Sequence, residues 1–114
     1  MFHNPINIPA MFLFGGDSKK KKFEASRMKA LEFEMKILAT QGLLLDQNVW
    51  VHDVPIKGIK DAKEPQFIHT IEVGRGNQEK ILLIHGYGGT GVFMWKILAQ
   101  LAPYAHVYAI DLYG

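Results

Sequence analysis

Residues 81–91 read ILLIHGYGGTG, and residues 106–110 read HVYAI. These two short apolar runs flank a glycine-rich loop and a stretch of helical composition, residues 92–102. The order strand, glycine loop, helix, strand predicts a parallel β-α-β unit, because parallel strands need a crossover of this kind. Continuous apolar runs are typical of strands covered on both faces, so we expect both strands to be buried.

Two further strands are predicted upstream of this unit. Residues 49–54 (VWVHDV) are β-branched and aromatic, and residues 67–73 (FIHTIEV) alternate, which suits an antiparallel pair. Before them, residues 18–41 contain no glycine or proline, and Gly42 supplies a helix stop. The sequence therefore predicts an α/β fold: an irregular tail over residues 1–17, an amphipathic helix over residues 18–42, the antiparallel pair, then the β-α-β unit.

The predicted helix has two apolar stripes, with Arg27 and Glu34 between them. One stripe is formed by Met28, Leu31, Met35 and Leu38, and the other by Phe23, Ala30, Phe33 and Ile37. We expect at least one stripe to pack on the sheet, because a helix of this composition needs a buried face.

Composition excludes several functions. The chain has 114 residues, of which 48% are hydrophobic and 21% charged, a mixture typical of one globular domain. It has no cysteine, which excludes disulfides, zinc-thiolate sites and thiol catalysis. Its net charge of +2 depends on the consecutive lysines Lys19 to Lys22, so no basic nucleic-acid face is expected. The five histidines show no H-x-x-x-H spacing, and we expect no metal site.

No targeting or membrane-spanning signal is found. The apolar run over residues 10–14 is too short for a signal peptide, and no stretch approaches a transmembrane span. We therefore expect an intracellular, cytoplasmic chain. Lys19 to Lys22, followed by apolar stripes, could bind a membrane, organelle or lipid-droplet surface peripherally, but we favour a solvated helix start whose apolar stripe packs on the sheet.

The glycine loop admits two interpretations. Gly86, Gly88 and Gly91 satisfy the dinucleotide fingerprint G-x-G-x-x-G, and Asp111 stands where a ribose-binding acid would follow the next strand. Alternatively, the loop is the oxyanion loop of a hydrolase, in which a backbone N–H stabilises a tetrahedral intermediate. A histidine directly after the buried strand and two preceding antiparallel strands favour the second interpretation.

Under the hydrolase interpretation, the backbone N–H groups of Tyr87 and Gly88 are the candidate oxyanion donors. His85, Gly86 and Gly89 are then expected to shape the loop. Asp111 organises the loop at the end of its strand instead of binding a ribose.

Residues 43–114 resemble the N-terminal part of an α/β-hydrolase domain. ILLIHGYGG, Trp95 and VYAIDLYG are similar to one subfamily, which includes phospholipid, N-acyl-phospholipid and cardiolipin deacylases and a lipase co-activator. The resemblance implies hydrolysis of a lipid ester or amide through an acyl-serine intermediate, without a cofactor. A non-catalytic lipid-surface or co-activator module, and a dinucleotide-binding domain, are the alternatives.

The catalytic triad is missing from this sequence. Its two serines, Ser18 and Ser26, neither follow a buried strand nor lie in G-x-S-x-G. In the family that the chain resembles, the nucleophile, acid and base all lie further along. We therefore expect a fragment that ends before the nucleophile elbow, is catalytically inert alone, exposes an apolar sheet edge and is marginally stable.

Overall fold

The computed structural model describes residues 18–63 and 66–112. These residues form helices and a four-stranded sheet, so the chain has the predicted α/β class. In chain order the elements are α1 (Ser18–Ala39), β1 (Val49–Ile56), β2 (Gln66–Val73), β3 (Lys80–Ile84), a 3₁₀ turn (Gly91–Met94), α2 (Trp95–Leu101) and β4 (His106–Ile110). The tail predicted over residues 1–17 lies outside the described residues.

The sheet is mixed, and its spatial order is β1-β2-β4-β3. β1 and β2 pair antiparallel along their length, with Val51 opposite Ile71. β3 and β4 pair parallel, with Leu82 opposite Tyr108, and the 3₁₀ turn and α2 make the crossover between them. β4 also pairs antiparallel with β2, which joins the two units into one sheet. The predicted antiparallel pair and the predicted β-α-β unit are both confirmed.

A glycine ends α1, as the sequence predicts. Gly42 has a φ of +75°, a conformation that glycine adopts without a side-chain clash. The N–H of Leu43 donates to the carbonyl of Leu38 (3.1 Å), and that of Gly42 donates to the carbonyl of Ala39 (3.0 Å). This is a Schellman motif, and the buried Leu38 and Leu43 supply its apolar contact. The helix predicted over residues 18–42 therefore ends earlier, at Ala39, because residues 40–42 already form the turn.

The apolar core lies between the two helices and one face of the sheet. Its completely buried large side chains are those of Leu38, Val49, Ile71, Val73, Leu98 and Val107. The strand members are odd-numbered, and residues that alternate along a strand share a face. Leu38 of α1 and Leu98 of α2 belong to the same cluster, so both helices cover the same side of the sheet.

No helix covers the other face of the sheet in the part of the chain that the structure describes, so we call it the uncovered face, although Thr70, Glu72 and His106 on this face are themselves buried. Leu82 and Ile84 of β3 are each 57% exposed, whereas Ile81 and Leu83, which alternate with them and face the helices, are half-buried. The prediction that this strand is buried on both faces is therefore wrong. β3 lies at the sheet edge and the helices cover only one side of it. Among the described strands β3 lies at a sheet edge, whereas β4 lies inside the sheet and is buried at His106, Val107 and Ala109.

The two predicted stripes of α1 have different environments. Leu31 and Leu38 are buried against the sheet and Met35 packs beside them, so the first stripe makes the expected contact. In the second stripe, Phe23 is 49% exposed and Phe33 is 67% exposed. α1 therefore exposes aromatic side chains next to the face that packs against the sheet. Within the described residues, no helix combines the length and apolarity that a membrane crossing requires.

Candidate functional site

A groove of about 470 Å³ lies between α1 and the sheet, within the size range of small-molecule sites. Its apolar wall is formed by Phe23, Ala30, Leu31, Phe33, Ile37, Phe67 and Val92. Its polar lining is formed by Arg27, Glu34, His69, Thr90 and Asp111. Thr90 and Asp111 follow the carboxyl ends of β3 and β4, the edge at which open α/β sheets bind ligands.

The glycine loop, residues 85–91, leaves β3 in a tight turn. The N–H of Gly89 donates to the carbonyl of Gly86 (3.0 Å), and Gly88, at the third position of the turn, has a φ of +73°. A positive φ at this position is typical of a type II turn and favours glycine. Within the described residues, the N–H groups of Tyr87 and Gly88 have no hydrogen-bond acceptor, and the Tyr87 side chain is fully exposed. The groove reaches this loop at Thr90, and the two candidate oxyanion donors do not line it.

His85 ties the start of the loop to the segment after β4. Its Nδ1 lies 2.8 Å from the carbonyl oxygen of Gly86, and its Nε2 accepts a hydrogen bond from the N–H of Leu112 (2.9 Å). A neutral imidazole with its proton on Nδ1 satisfies both contacts. Both ring nitrogens are thus engaged in holding the loop.

Asp111 ties the end of the loop to β4. Its Oδ1 accepts a hydrogen bond from the N–H of Gly91 at 2.6 Å. Gly91 is buried, and a Cβ there would lie 3.2 Å from both Asp111 Oδ1 and the carbonyl oxygen of Ala109. The backbone therefore passes close to β4 because Gly91 has no side chain. This carboxylate therefore fixes the end of the loop. We call the His85–Leu112 and Gly91–Asp111 hydrogen bonds the loop clamp.

A buried charge network, which the sequence does not predict, joins α1 to the sheet beside the groove. The guanidinium of Arg27 pairs with Asp53, whose other oxygen lies 2.8 Å from Nδ1 of His69. Nε2 of His69 lies 2.7 Å from Oε1 of Glu34. Asp53 and Glu34 are buried, and the guanidinium of Arg27 also lies 4.1 Å from the ring centroid of Phe67. We call Arg27, Asp53, His69 and Glu34 the helix–sheet network.

The network keeps His69 protonated. Burial alone would lower the pKa of His69, but the hydrogen bonds and negative charges of Asp53 and Glu34 outweigh burial. Together they raise its pKa from 6.5 to about 10. Each ring N–H then donates to one carboxylate, and cations and anions alternate along the network. Such an arrangement satisfies each buried charge with an opposite one.

A second charge cluster lies on the uncovered face of the sheet. Glu72 accepts hydrogen bonds from Arg75 (2.8 Å) and lies 2.8 Å from Nε2 of His52 and 2.5 Å from Nε2 of His106. Burial raises the pKa of Glu72, but these partners outweigh burial and lower it from 4.5 to about 2. Lys80 Nζ lies 2.8 Å from the other ring nitrogen of His106.

The sheet therefore brings together histidines that are far apart in sequence. Among the described residues, no group of three histidine or acidic side chains has an arrangement that could hold a metal ion. Glu72 instead accepts hydrogen bonds from the Arg75 guanidinium and from Nε2 of His106, whose other ring nitrogen faces the Lys80 ammonium. We name this group the Glu72 cluster.

The structure places the predicted loop-shaping residues, His85, Gly86 and Gly89, in one hydrogen-bonded turn with Tyr87 and Gly88. The helix–sheet network was missed, although one signal for it was present. Arg27 and Glu34 are seven residues apart, which places two opposite charges on one side of a helix.

No protein-family model matches the chain, and no curated protein matches it. Among solved structures, it is similar to a mutant of the haloalkane dehalogenase DatA from Agrobacterium tumefaciens, with 26% sequence identity and a TM-score of 0.45. The match covers 58% of this chain and 20% of the dehalogenase chain.

Proposed function

We propose that this chain is the N-terminal part of an α/β-hydrolase-fold serine hydrolase and that its glycine loop supplies the oxyanion hole. The observation that carries the proposal is the loop clamp. His85 and Asp111 hold the two ends of the loop, while the N–H groups of Tyr87 and Gly88 have no acceptor among the described residues. Backbone amides that are already in position before the substrate binds stabilise an oxyanion without reorganising during the reaction. This is the main requirement of an oxyanion hole.

The chain supplies only one part of the chemistry. A serine oxygen attacks the acyl carbon, the carbonyl oxygen becomes negatively charged opposite the Tyr87 and Gly88 amides, and expulsion of the leaving group gives an acyl-serine. Ser18 and Ser26 both lie on α1, far from the glycine loop in sequence, and both are exposed. We therefore assign the nucleophile, base and acid to polypeptide outside this chain.

A lipid ester or amide is the substrate class that we favour. The resemblance of ILLIHGYGG and VYAIDLYG to lipid deacylases supports it. The largely apolar groove beside Thr90 and Asp111, with three phenylalanines in its wall, is also compatible with an acyl chain.

The test requires a longer protein that carries this chain together with the nucleophile. Gly88→Val should lower kcat about 10²- to 10³-fold, the loss typical of one oxyanion donor, because the turn cannot keep its positive φ. Gly76→Val is the matched control, since Gly76 also has a positive φ (+93°) and open space around it but lies outside the glycine loop. An unchanged kcat in Gly88→Val would reject the proposal.

A nucleotide titration tests the dinucleotide alternative. Under the hydrolase proposal, NAD and NADP should not bind saturably, because Asp111 is already engaged by Gly91. Saturable binding that is lost in Asp111→Asn would favour the dinucleotide interpretation instead.

A further inference from the structure

The exposed side of α1 combines lysines with aromatic surface. Lys22, Lys29 and Lys36 are all exposed and are spaced seven residues apart, so they form one row along the helix. Phe33 lies beside this row, 67% exposed, and Nζ of Lys36 is 5.6 Å from its ring centroid. Phe23, also half-exposed, lies further round the helix, in the wall of the groove that Phe33 also borders. We call Lys22, Lys29, Lys36 and Phe33 the basic-aromatic surface.

Positive charge is concentrated on this helix. α1 carries seven cationic side chains and three carboxylates over 22 residues, whereas the whole chain has a net charge of only +2. Arg27 and Glu34 point toward the sheet and pair within the helix–sheet network, so they add little to the outer surface. The remaining cations of α1 are lysines, and most of them are exposed.

We propose that the basic-aromatic surface docks this protein on an anionic lipid bilayer. A helix that lies in a bilayer interface places aromatic side chains among the lipids and lysines against anionic headgroups. α1 presents both on one side, and its opposite side is already fixed to the sheet by Leu31, Leu38 and the helix–sheet network. Docking therefore requires no unfolding of the helix. The proposal does not depend on the proposed hydrolase function.

The structure indicates different lysines for membrane binding from those that the sequence suggested. Lys19 to Lys22 are consecutive, so they surround the helix, and Lys20 is half-buried. Only Lys22 of these four belongs to the row that continues through Lys29 and Lys36. A flat bilayer should therefore contact the spaced row and Phe33, and the consecutive lysines as a group should matter less.

The experiment measures co-sedimentation of the 114-residue chain with phosphatidylcholine vesicles, with and without phosphatidylserine, at low and high ionic strength. Binding should require phosphatidylserine and weaken as salt increases. The triple variant Lys22→Gln, Lys29→Gln, Lys36→Gln should lower the partition coefficient roughly 100-fold, from the usual contribution of each lysine near an anionic surface. Glutamine is chosen because it favours helices about as well as lysine.

Matched control variants distinguish bilayer binding from other interactions of the basic-aromatic surface. The triple variant Lys57→Gln, Lys60→Gln, Lys63→Gln removes the same charge from exposed positions outside α1 and should bind like the wild type. Equal loss in both triples, or equal binding to neutral vesicles, would overturn the proposal. Phe33→Gln should also weaken binding; if it does not, the surface attracts any polyanion and is not adapted to a bilayer. Self-association that Phe33→Gln abolishes would assign the surface to a second copy.

A fluorescent probe gives a readout that does not depend on the charge variants. The chain has no cysteine, so Ser26→Cys, an exposed position between Lys22 and Phe33 on the same side of α1, can be labelled selectively. Its polarity-sensitive dye should shift to the blue with phosphatidylserine vesicles, whereas a dye at Lys60→Cys should not. No shift at position 26 while the protein sediments with vesicles would show that another surface binds them.

Discussion

Replacing His69 with glutamine should loosen α1 from the sheet. In the wild type, the protonated ring donates to Asp53 and to Glu34, and so connects a β1 carboxylate with a helix carboxylate. Glutamine cannot carry a positive charge or reach both acceptors with the same geometry. Asp53 keeps Arg27 as a partner, but Glu34 is left as a buried carboxylate without an opposite charge.

The expected cost follows from the pKa of His69. A rise from 6.5 to about 10 corresponds to roughly 5 kcal/mol of pH-dependent stability at 1.36 kcal/mol per pKa unit. Because the folded pKa of His69 is raised, this stability is fully present below pH 6.5 and is lost as pH rises toward about 10. Removing one partner of a buried ion pair independently suggests a loss of about 3–5 kcal/mol. Domains of this size are stable by about 5–15 kcal/mol in total, so the variant should be close to unfolding.

Urea unfolding followed by circular dichroism measures the effect below pH 6.5 and again near pH 10. The wild type should lose stability between the two conditions, and His69→Gln should be weak in both. Glu32→Gln is the control for charge on α1, because Glu32 is exposed and its replacement should change stability by less than about 0.5 kcal/mol. If His69→Gln is no more destabilising than Glu32→Gln, the network does not hold the helix as argued.

Three further predictions concern other parts of the fold. Gly74→Ala should be strongly destabilising in thermal unfolding, because its Cβ would lie 1.9 Å from the carbonyl oxygen of Ala105; Gly76→Ala, with open space around it, should cost far less. The stability that Glu72 contributes should be present above pH 4.5 and lost as pH falls toward about 2; Glu72→Gln should flatten that part of the acid-unfolding profile. Leu82→Lys combined with Ile84→Lys should reduce self-association of the isolated chain in sedimentation velocity, because both side chains are 57% exposed on the uncovered face. Unchanged self-association would show that another surface mediates it.

Local sequence signals were sufficient to predict the helices and strands of this fold and their order. The helix and its glycine stop, the alternating strand pair and the strand–loop–helix–strand order all depend on residues close together in the chain. The burial of β3 could not be predicted in the same way. A continuous apolar run such as ILLI indicates a strand able to be covered on both sides, but coverage depends on which elements pack there. Here β3 lies at the edge of the sheet, and both helices lie on one side of it.

The glycine loop was predictable because its residues are contiguous. His85 and the glycines indicated a tight, backbone-lined turn, and Asp111 was expected to organise it. The helix–sheet network was not predictable, because its members come from α1, β1 and β2. Only the packing of α1 across both strands brings Glu34 and Asp53 to the two nitrogens of His69.

β2 carries both charge clusters, and the alternation of its side chains keeps them apart. His69 and Glu72 differ by three positions, so their side chains lie on opposite faces of the sheet. On the covered face, the protonated His69 satisfies two buried carboxylates, and its charge is required because the helix brings a second acid to it. On the uncovered face, the carboxylate of Glu72 is the shared partner, and hydrogen bonds from Arg75, His106 and His52 together with the charge of Arg75 hold it ionised. β2 thus carries one buried ionised group on each face, each held by hydrogen-bond partners in neighbouring segments. Loss of stability on raising the pH should therefore follow the detachment of α1, whereas loss on lowering the pH should begin on the open face.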